Sequence, residues 1–368
     1  MAANESTAAK EILEKDVWCK EDIACLLAAD EDESRIIFQK SAYVKRSHVG
    51  NKVYLRGLIE YSNRCVKNCF YCGIRSGNDK FRRYELSDNE TLAAARFAWE
   101  NRYGSIVIQS GERSDEAFIE KIETLIRKIH EITRAELHIT LSLGDQSEDT
   151  YRRWRKAGAQ RYLLRVEVSS RKIYRKLHPE DGKHAHAARI EALGALRRVG
   201  YQVGTGVMIG LPFQTLDDLA DDLIFFRNSD VDMVGMGPYV EHPNTPLYQL
   251  RHAVPSPEER VRLSLRMTAL LRIMMKDINI AATTAIQTLD PTGREKALSA
   301  GANVLMPNLT PAVYRKDYLL YENKPYIHED AGVIVPELES RVLSIGDTIA
   351  YGEWGDSRHY TQTGRGSA

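Results

Sequence analysis

The sequence predicts an α/β fold, namely a full (β/α)8 TIM barrel with a helical N-terminal lead-in and an irregular C-terminal extension. Three observations support this prediction. Short β-rich runs occur eight times between positions 53 and 307. Segments with helical spacing of apolar residues separate them, and such alternation is typical of parallel α/β folds. Glycine also follows three of the helical segments, at Gly158, Gly200 and Gly301, where helices commonly end.

The predicted strands and helices follow each other along the chain. Strands are expected at 53–62, 105–110, 136–143, 161–168, 202–211, 232–239, 279–286 and 303–307. Helices are expected between them at 89–101, 115–133, 148–156, 184–199, 216–228 and 258–275. Ser87 and Glu90 have the spacing of a capping box, and Asp217 with Asp218 favours the positive end of another helix. Eight units favour a closed barrel over an open sheet.

Three regions divide the 368 residues. Residues 1–50 are predicted to form the helical N-terminal extension, and residues 51–310 the barrel. Residues 311–368 are predicted to form a C-terminal extension that closes the barrel. From residue 361 onward the sequence is polar, which predicts a mobile tail.

The charge balance excludes several classes of function. The 51 Lys and Arg residues are matched by 51 Asp and Glu residues, so neither nucleic acid nor an anionic membrane would attract the chain as a whole. No apolar run reaches the roughly 18 residues that a transmembrane helix needs. The N-terminus is polar and unlike a secretory signal, so the chain is expected in the cytoplasm, where thiols stay reduced.

Three of the five cysteines lie close together in the motif CVKNCFYC, at Cys65, Cys69 and Cys72. They follow the first predicted strand, at the end of the barrel that carries active sites. Three thiolates without an obvious fourth ligand suit an iron–sulfur cluster with one open iron. A zinc site completed by a distant His and a set of buried core thiols are the alternatives. Cys19 and Cys25, in the lead-in, are interpreted as core thiols without a role.

Polar residues also stand where the second and third strands end. Gly111 allows close backbone approach, and the neighbouring Glu112 offers an acceptor for an ammonium group. Thr140 and Ser142 face the same side of the third strand, because side chains alternate along a strand. The alternatives are a tight turn with an exposed acid and buried hydroxyls bonded to the backbone.

The fourth and fifth strands carry further candidates. Arg161, Arg165 and Glu167 are in phase, and an inward pair of charges is costly to bury without a purpose. An ion pair that closes the barrel is the alternative. The segment 206–210 is interpreted as offering backbone groups and apolar contact to a ligand. Simple packing as a strand is the alternative.

The motif CVKNCFYC resembles the cluster motif of the radical S-adenosylmethionine (SAM) enzymes, in which three Cys bind a [4Fe-4S] cluster and SAM chelates the fourth iron. Tyr71, just before the last Cys, fits this motif. Segments in order from about 50 to 320 resemble the HydE family of [FeFe]-hydrogenase maturases, among them IVIQSGE, TLSLG, RYLLRVE, GVMIGLPFQT and AATTA. Biotin synthase and methylornithine synthase share the barrel and the three Cys.

The resemblance implies roles for individual residues. Those near SAM would be Tyr71, Gln109, Gly111, Glu112, Ser142, Arg165, Glu167, Arg189 and Met208. Those near the substrate would be Thr140, Arg161, Met233, Thr283, Thr284, Met306 and Tyr318. Thr283 and Thr284 are adjacent, so both can face inward only at a bulge or through backbone recognition. The loop at 179–186 is three residues longer than the family pattern.

The function implied is cleavage of SAM to a 5′-deoxyadenosyl radical that acts on a small iron–cyanide–carbonyl–cysteine precursor of the hydrogenase H-cluster. The alternatives are a radical mutase or sulfur-insertion enzyme with a small amino-acid substrate, and a non-catalytic iron–sulfur scaffold. No Cys follows position 72, so a second cluster is not expected. Expected partners are an external electron donor of the flavodoxin or ferredoxin type and other hydrogenase maturases, with no nucleic acid and no membrane.

Overall fold

The computed structural model describes residues 8–325, 327 and 331–364. Three helices precede the sheet, namely α1 (Ala8–Leu13), α2 (Lys20–Ala28) and α3 (Glu31–His48). Acidic residues fill the first turn of α3 and basic residues its last turn, which the helix dipole favours. These helices occupy the predicted lead-in. Cys19 and Cys25 are exposed on it, which corrects their interpretation as core thiols.

Parallel strands form the centre of the molecule. They are β1 (Lys52–Ser62), β2 (Ser105–Ser110), β3 (His138–Ser142), β4 (Arg161–Leu163), β5 (Gln202–Thr205), β6 (Met208–Ile209), β7 (Met233–Val234), β8 (Gly237–Pro238), β9 (Asn279–Ile280), β10 (Val304–Leu305) and β11 (Thr348–Ile349). Eight of them form a curled parallel sheet in the order β10-β1-β2-β3-β4-β5-β7-β9. β6 pairs with β8, and β11 pairs with β1. The predicted parallel α/β fold is confirmed.

The first and last strands of this order approach each other. The backbone N–H of Asn303 donates to the Ile280 carbonyl at 2.9 Å, and that of Ala282 donates to the Val304 carbonyl at 2.9 Å. Ala281 and Val304 also form an isolated parallel bridge. The carboxyl ends of the strands therefore gather at one end of the curled sheet, where ligands bind in folds of this kind.

Helices follow most strands and cover the sheet. They are α4 (Asp88–Glu100), α5 (Glu116–Ile132), α6 (Glu148–Ala157), α7 (Arg171–Leu177), α8 (His186–Arg198), α9 (Leu216–Asn228), α10 (Pro257–Met274), α11 (Thr284–Leu289) and α12 (Gly293–Ser299), with a 3-10 helix at Pro246–Ala253. The capping box of Ser87 and Glu90 is present as predicted, and Thr215 with Asp218 forms a second one. No helix in the described part of the chain is long and apolar enough to cross a membrane.

Several strands are shorter than predicted because their carboxyl ends turn into site loops. The predicted strand 161–168 ends at Leu163, and Glu167 has a φ of 68°, which regular strands do not adopt. The predicted strand 279–286 ends at Ile280, since Thr284 begins α11. Alternation of side chains therefore does not extend to the functional ends of these strands.

The C-terminal extension contains more regular structure than predicted. It holds α13 (Ala312–Arg315), α14 (Ala331–Leu343), β11 and α15 (Arg358–Gln362). β11 pairs in parallel with the start of β1, with Lys52 opposite Thr348. α13, β11 and α15 carry too few residues for a periodic pattern, and Pro336 lies inside α14, where a proline argues against a helix. α15 begins before the predicted tail and reaches into it, and residues 365–368 lie outside the described residues.

The extension also neutralises Arg161 at the beginning of β4. Arg161 is fully buried, and its guanidinium donates to the Asp356 carboxylate and to the Trp354 carbonyl. Gln202 donates to the same carboxylate at 2.7 Å. The structure thus pairs the Arg161 side chain with the C-terminal extension, although its backbone is in register with Thr140, another predicted substrate residue.

We expect Asp356→Asn to lower the free energy of unfolding by about 2–4 kcal/mol, because the buried Arg161 charge would lose its carboxylate. Urea denaturation measures this difference. Asp149→Asn is the matched control, since the Asp149 side chain is 78% exposed and its loss should cost little. Equal stabilities for Asp356→Asn and the unaltered protein would contradict the assignment.

The same pair predicts a pH dependence. Burial raises the pKa of Asp356, but the hydrogen bond with His138 and the charge of Arg161 outweigh burial and hold the pKa below its usual value. A carboxylate with a lowered folded pKa stabilises above its unfolded pKa of about 3.9, and this contribution is lost as the pH falls further. The stability difference from Asp356→Asn should therefore be smaller at pH 3 than at pH 7.

Candidate active site

The three motif cysteines lie on the loop between β1 and α4, which we call the cluster loop (residues 63–83). Cys69 is buried, and Cys65 and Cys72 are half-buried. The backbone N–H of Val66 donates to the Glu112 carbonyl at 2.9 Å, which ties the loop to the end of β2. The Gly73 N–H donates to the Leu320 carbonyl at 2.9 Å, which ties it to the C-terminal extension.

Arg83 fixes the shape of the cluster loop from within. Its guanidinium donates to the carbonyls of Asn63, Ile74, Arg75 and Asn78, at 2.5 to 2.8 Å. One side chain therefore satisfies four carbonyls that would otherwise lack partners in an irregular segment. Sequence reasoning missed this residue, because a single Arg in a polar loop carries no pattern.

The surroundings of the thiols favour a ligand that binds thiolates. Burial raises the pKa of Cys65, that of Cys69 to about 12, and that of Cys72 well above its usual value. The backbone N–H of Glu112 points at the Cys65 sulfur, 3.3 Å away. Without a metal group the thiols are thus protonated, and binding of iron would release protons.

The thiols do not form a site for one metal ion. No group of three or more His, Cys, Asp or Glu side chains in the described ranges converges on a single ion position. Zinc requires such convergence of its ligands. In an iron–sulfur cluster each Cys binds a different iron, so more widely separated thiols are suited to it.

Four charged side chains form a buried network beside the cluster loop. The Arg189 guanidinium donates to Glu112 at 3.1 Å and to Asp145 at 2.7 Å. The Lys67 ammonium lies 2.9 Å from Glu112 and 3.4 Å from Asp145. Two cations and two carboxylates thus alternate, and each cation meets both acids. Glu112 and Arg189 were predicted to lie together, but Lys67 and Asp145 were not identified.

Burial strengthens the interactions in this network. The side chains of Lys67, Glu112 and Arg189 are each about a tenth exposed. Burial lowers the pKa of Arg189, but the carboxylates of Asp145 and Glu112 outweigh it and the pKa lies well above its usual value. Arg189 is therefore held as a cation, although it lies on α8 and resembles an exposed helix residue in the sequence.

Arg165 and Glu167 form a second ion pair after β4. Two guanidinium nitrogens of Arg165 donate to the Glu167 carboxylate at 3.0 Å. The same guanidinium donates to the carbonyls of Gly235 and Val207, so four of its five N–H donors have partners. The two side chains pair as the sequence predicted, although they lie in the loop after β4 and not on a regular strand.

Three of the predicted substrate residues share one cavity. Thr140, Met233 and Met306 line a small interior cavity together with Arg56. The Thr140 hydroxyl is buried there without a hydrogen-bond partner. Tyr318 lies outside this cavity. It is fully buried, and its hydroxyl accepts a hydrogen bond from Gln109 at 3.2 Å.

Thr283 and Thr284 lie past the end of β9. Thr283 is the residue before α11, and Thr284 is the first residue of that helix. The Thr284 hydroxyl accepts a hydrogen bond from Arg294 at 2.8 Å. The predicted bulge is not needed, because the strand has already ended.

The remaining predicted cofactor residues surround the cluster loop. Gln109 and Ser142 are register partners on β2 and β3. Met208 belongs to an apolar group that also contains Phe70 and Tyr71. A Cβ on Gly111 would lie 2.4 Å from the Arg64 carbonyl, so this glycine permits close approach of the cluster loop rather than of a ligand.

A buried ion pair joins β1 to the C-terminal extension. The Lys324 ammonium contacts the Glu60 carboxylate, and both side chains are nearly inaccessible. Asn308 donates to the second Glu60 oxygen at 3.1 Å. The segment that carries Tyr318 and Lys324 thereby covers the carboxyl end of the sheet. A lone Glu in the apolar run LIEYS was the available signal for Glu60.

These residues fit a [4Fe-4S] cluster with one iron left for SAM. Three thiols are present on one ordered loop, and in the described residues no fourth protein ligand joins them. Beside them the Arg189 Nε is buried without a hydrogen-bond partner. The alternating network offers both an acid for an ammonium group and a guanidinium for a carboxylate, which an amino-acid ligand requires.

Comparison with known proteins agrees with this chemistry. Residues 59–226 match the family model of the radical SAM superfamily. The chain is 39% identical over 334 residues to the [FeFe] hydrogenase maturase subunit HydE of Thermotoga maritima, which covers 91% of this chain and 92% of the relative. It is 24% identical over 288 residues to the 3-methylornithine synthase of Methanosarcina acetivorans, covering 77% and 78%.

Two solved structures share the fold. That of methylornithine synthase superposes with a TM-score of 0.78 at 22% identity, and covers 94% of this chain and 98% of the other. That of HydG, a maturase of the [FeFe]-hydrogenase, gives 0.79 at 20% identity and covers 99% and 82%.

The fold, the three thiols and the family match define an enzyme of the radical SAM superfamily. Such enzymes use a [4Fe-4S] cluster and SAM. Within the superfamily, the 39% identity to HydE over 91% of the chain shows that this chain belongs to the HydE family of maturases.

We expect alanine at Cys65, Cys69 or Cys72 to abolish cluster binding, since each thiol ligates a different iron. Anaerobic reconstitution followed by iron and sulfide analysis should give about four irons per chain for the unaltered protein and fewer than one for each variant. Cys25→Ala is the matched control, because that thiol is exposed on α2. Retention of full iron content by Cys69→Ala would contradict the assignment.

We expect Arg189→Gln to weaken SAM binding by about tenfold or more, because it removes a buried charge-assisted donor. Equilibrium dialysis with the reconstituted protein measures the dissociation constant. Iron content should not change, which separates loss of SAM from loss of the cluster. Arg198→Gln is the control on the same helix, where the side chain is 54% exposed. Equal SAM affinities in the two variants would refute the role of Arg189.

Proposed function

We propose that this enzyme acts in maturation of the [FeFe]-hydrogenase H-cluster, on a small iron–cyanide–carbonyl–cysteine precursor. The observation that carries the proposal is the 39% identity to a HydE maturase across 91% of the chain. Cys65, Cys69 and Cys72 are proposed as the cluster ligands. When bound, the cluster and SAM together supply a 5′-deoxyadenosyl radical.

The alternating network is proposed to hold the methionine end of SAM. Glu112 offers an acceptor for its ammonium group, and Arg189 offers donors for its carboxylate. A zwitterion adds one charge of each sign, so it can enter this network without leaving an excess charge buried. Lys67 and Asp145 would then keep the displaced partners neutralised.

Further residues are proposed along the body of SAM. Glu167, fixed by Arg165, is suited to accept hydrogen bonds from a ribose. Tyr71 and Met208 offer an apolar surface beside it. The proposed contacts at Gln109 and Ser142 rest on their position at the ends of β2 and β3. Gly111 is proposed to act indirectly, by admitting the cluster loop.

Thr140, Met233 and Met306, which line the small interior cavity, are proposed as substrate contacts. The cavity has a volume of about 20 Å³, so the proposal requires it to widen when the substrate binds. Arg56 lies in the same cavity and donates to the Met233 sulfur, a weak acceptor, at 2.9 Å. The buried Thr140 hydroxyl lacks a partner. Unsatisfied donors of this kind favour an anionic ligand with several acceptor atoms, such as a cyanide-bearing complex. Three residues outside the cavity remain proposed substrate contacts, namely Tyr318, Thr283 and Thr284.

The remaining expectations belong to the same proposal. Closure of the sheet into a full (β/α)8 barrel is supported by the hydrogen bonds between the segments of β9 and β10. A single cluster is proposed, because no Cys follows position 72. We also propose a location in the cytoplasm and transfer of the product to other maturases.

A radical enzyme for a small amino-acid substrate is the second candidate. The observation that favours it is the 24% identity over 288 residues to a 3-methylornithine synthase, whose fold this chain shares. The lower identity places this candidate behind the maturase.

We expect the iron–cyanide–carbonyl–cysteine complex to stimulate formation of 5′-deoxyadenosine several-fold over the rate without substrate, since a radical enzyme couples cleavage of SAM to its substrate. The assay uses reconstituted protein, SAM and dithionite, with chromatographic detection. Free amino acids serve as the competing substrates. Stimulation by an amino acid and not by the iron complex would move the assignment to the second candidate.

A further inference from the structure

Helix α7 carries four basic side chains that lack ionic partners. Arg171, Lys172, Arg175 and Lys176 are exposed, and none of them forms an ion pair with another residue in the described ranges. Within the helix, like charges stand four residues apart twice, which destabilises it. Its first turn has no acidic residue, although the helix dipole favours one there. Local stability therefore does not explain this composition.

Several surface arginines on other helices are paired. Arg152 contacts Glu148 at 3.0 Å, and Arg198 contacts Glu191 at 2.8 Å. Arg127 on α5 contacts Glu123 at 2.7 Å. The stretch 171–184 instead holds five Lys or Arg against two Asp or Glu, in a chain whose overall formal charge is zero. The basic face of α7 is thus a local excess in a balanced protein.

The opposite face of α7 packs directly on the cluster loop. The backbone N–H of Phe70 donates to the Leu177 carbonyl at 2.8 Å. The Tyr71 ring meets the ring of His178 edge-on, with centroids 5.6 Å apart. Phe70 and Tyr71 lie in the chain between Cys69 and Cys72, so one short helix separates this part of the loop from the basic surface.

A groove continues the basic face along the loop that follows α7. It has a volume of about 270 Å³, and its lining includes Arg171, Arg175 and His184. His184 also accepts a hydrogen bond from the backbone N–H of Asn68 at 3.1 Å, which ties the groove to the residue before Cys69. Glu180 is the acidic side chain in the lining. A recess bordered by guanidinium groups suits carboxylate side chains from a partner.

We propose that the basic face of α7 and this groove form the docking surface for a small, acidic, one-electron carrier protein that reduces the cluster. The inference rests on the proposed radical SAM chemistry, which consumes one electron that the single cluster has to receive from another molecule. The carrier loses one electron, the cluster gains it, and no bond or proton is transferred. Opposite charges on the two proteins would speed their encounter.

The test compares two electron sources in the reconstituted full-length enzyme. A reduced, FMN-containing flavodoxin is the protein donor, and dithionite is the small donor that needs no docking surface. Arg171→Glu/Arg175→Glu should lower the flavodoxin-supported rate of 5′-deoxyadenosine formation by roughly tenfold or more, and leave the dithionite-supported rate unchanged. Arg35→Glu/Lys40→Glu on α3 reverses the same charge elsewhere and should change neither rate.

Binding gives a readout that does not depend on activity. Calorimetric titration with oxidised flavodoxin should show an affinity that falls between about 20 and 200 mM salt, and falls further in the α7 variant. Unchanged affinity and an unchanged flavodoxin-supported rate in that variant overturn the proposal, as does binding of anionic vesicles in place of flavodoxin.

The dithionite-supported rate distinguishes damage to the fold from loss of flavodoxin docking. If charge reversal also lowers the dithionite-supported rate, the same two rates are measured for the neutral variant Arg171→Gln/Arg175→Gln. Equal losses of both rates in that variant overturn the docking surface. Absence of 5′-deoxyadenosine from the unaltered enzyme with dithionite would instead refute the proposed chemistry itself.

Discussion

The close fit of the cluster loop on the end of β2 is the contact on which the rest of the site depends. A Cβ on Gly111 would lie 2.7 Å from the Cβ of Cys65, so only glycine allows the two segments to touch. Contact there buries the thiols and brings the Glu112 N–H to the Cys65 sulfur. It also delivers the Glu112 side chain to Lys67 and Arg189. Cluster ligands and the charged network are therefore positioned by one packing contact.

Charge is concentrated in this protein at places that its neutral total conceals. The buried network beside the cluster loop and the Arg165–Glu167 pair are internally balanced, and their cost of desolvation is offset only because each charge has partners. In the same way, the Asp356 carboxylate of the C-terminal extension balances the buried charge of Arg161. The exposed basic side chains of α7 are not balanced by acidic partners in the described residues, and this surface lies over the cluster loop. Placement of charge, and not its sum, carries the functional information.

Much of the fold and the heart of the site were predictable from the sequence. The alternation of strands and helices, with glycines after the helices, predicted the parallel α/β fold, and the spacing of Cys65, Cys69 and Cys72 indicated the cluster. Lys67 and Asp145 were missed because their partners are distant in the chain and meet only in the fold. The partner of Arg161 was not foreseen, because its carboxylate lies 195 residues away in the C-terminal extension. Contacts between irregular segments leave no local signal.

The central claim is that SAM binds the open iron of a cluster held by the three motif cysteines. Electron paramagnetic resonance of the reconstituted, reduced protein tests it most directly. We expect SAM to change the spectrum of the reduced cluster, and ¹⁵N in the methionine amino group of SAM to produce a resolved nitrogen coupling to it. A spectrum that is identical with and without saturating SAM, with no such coupling, would contradict the account.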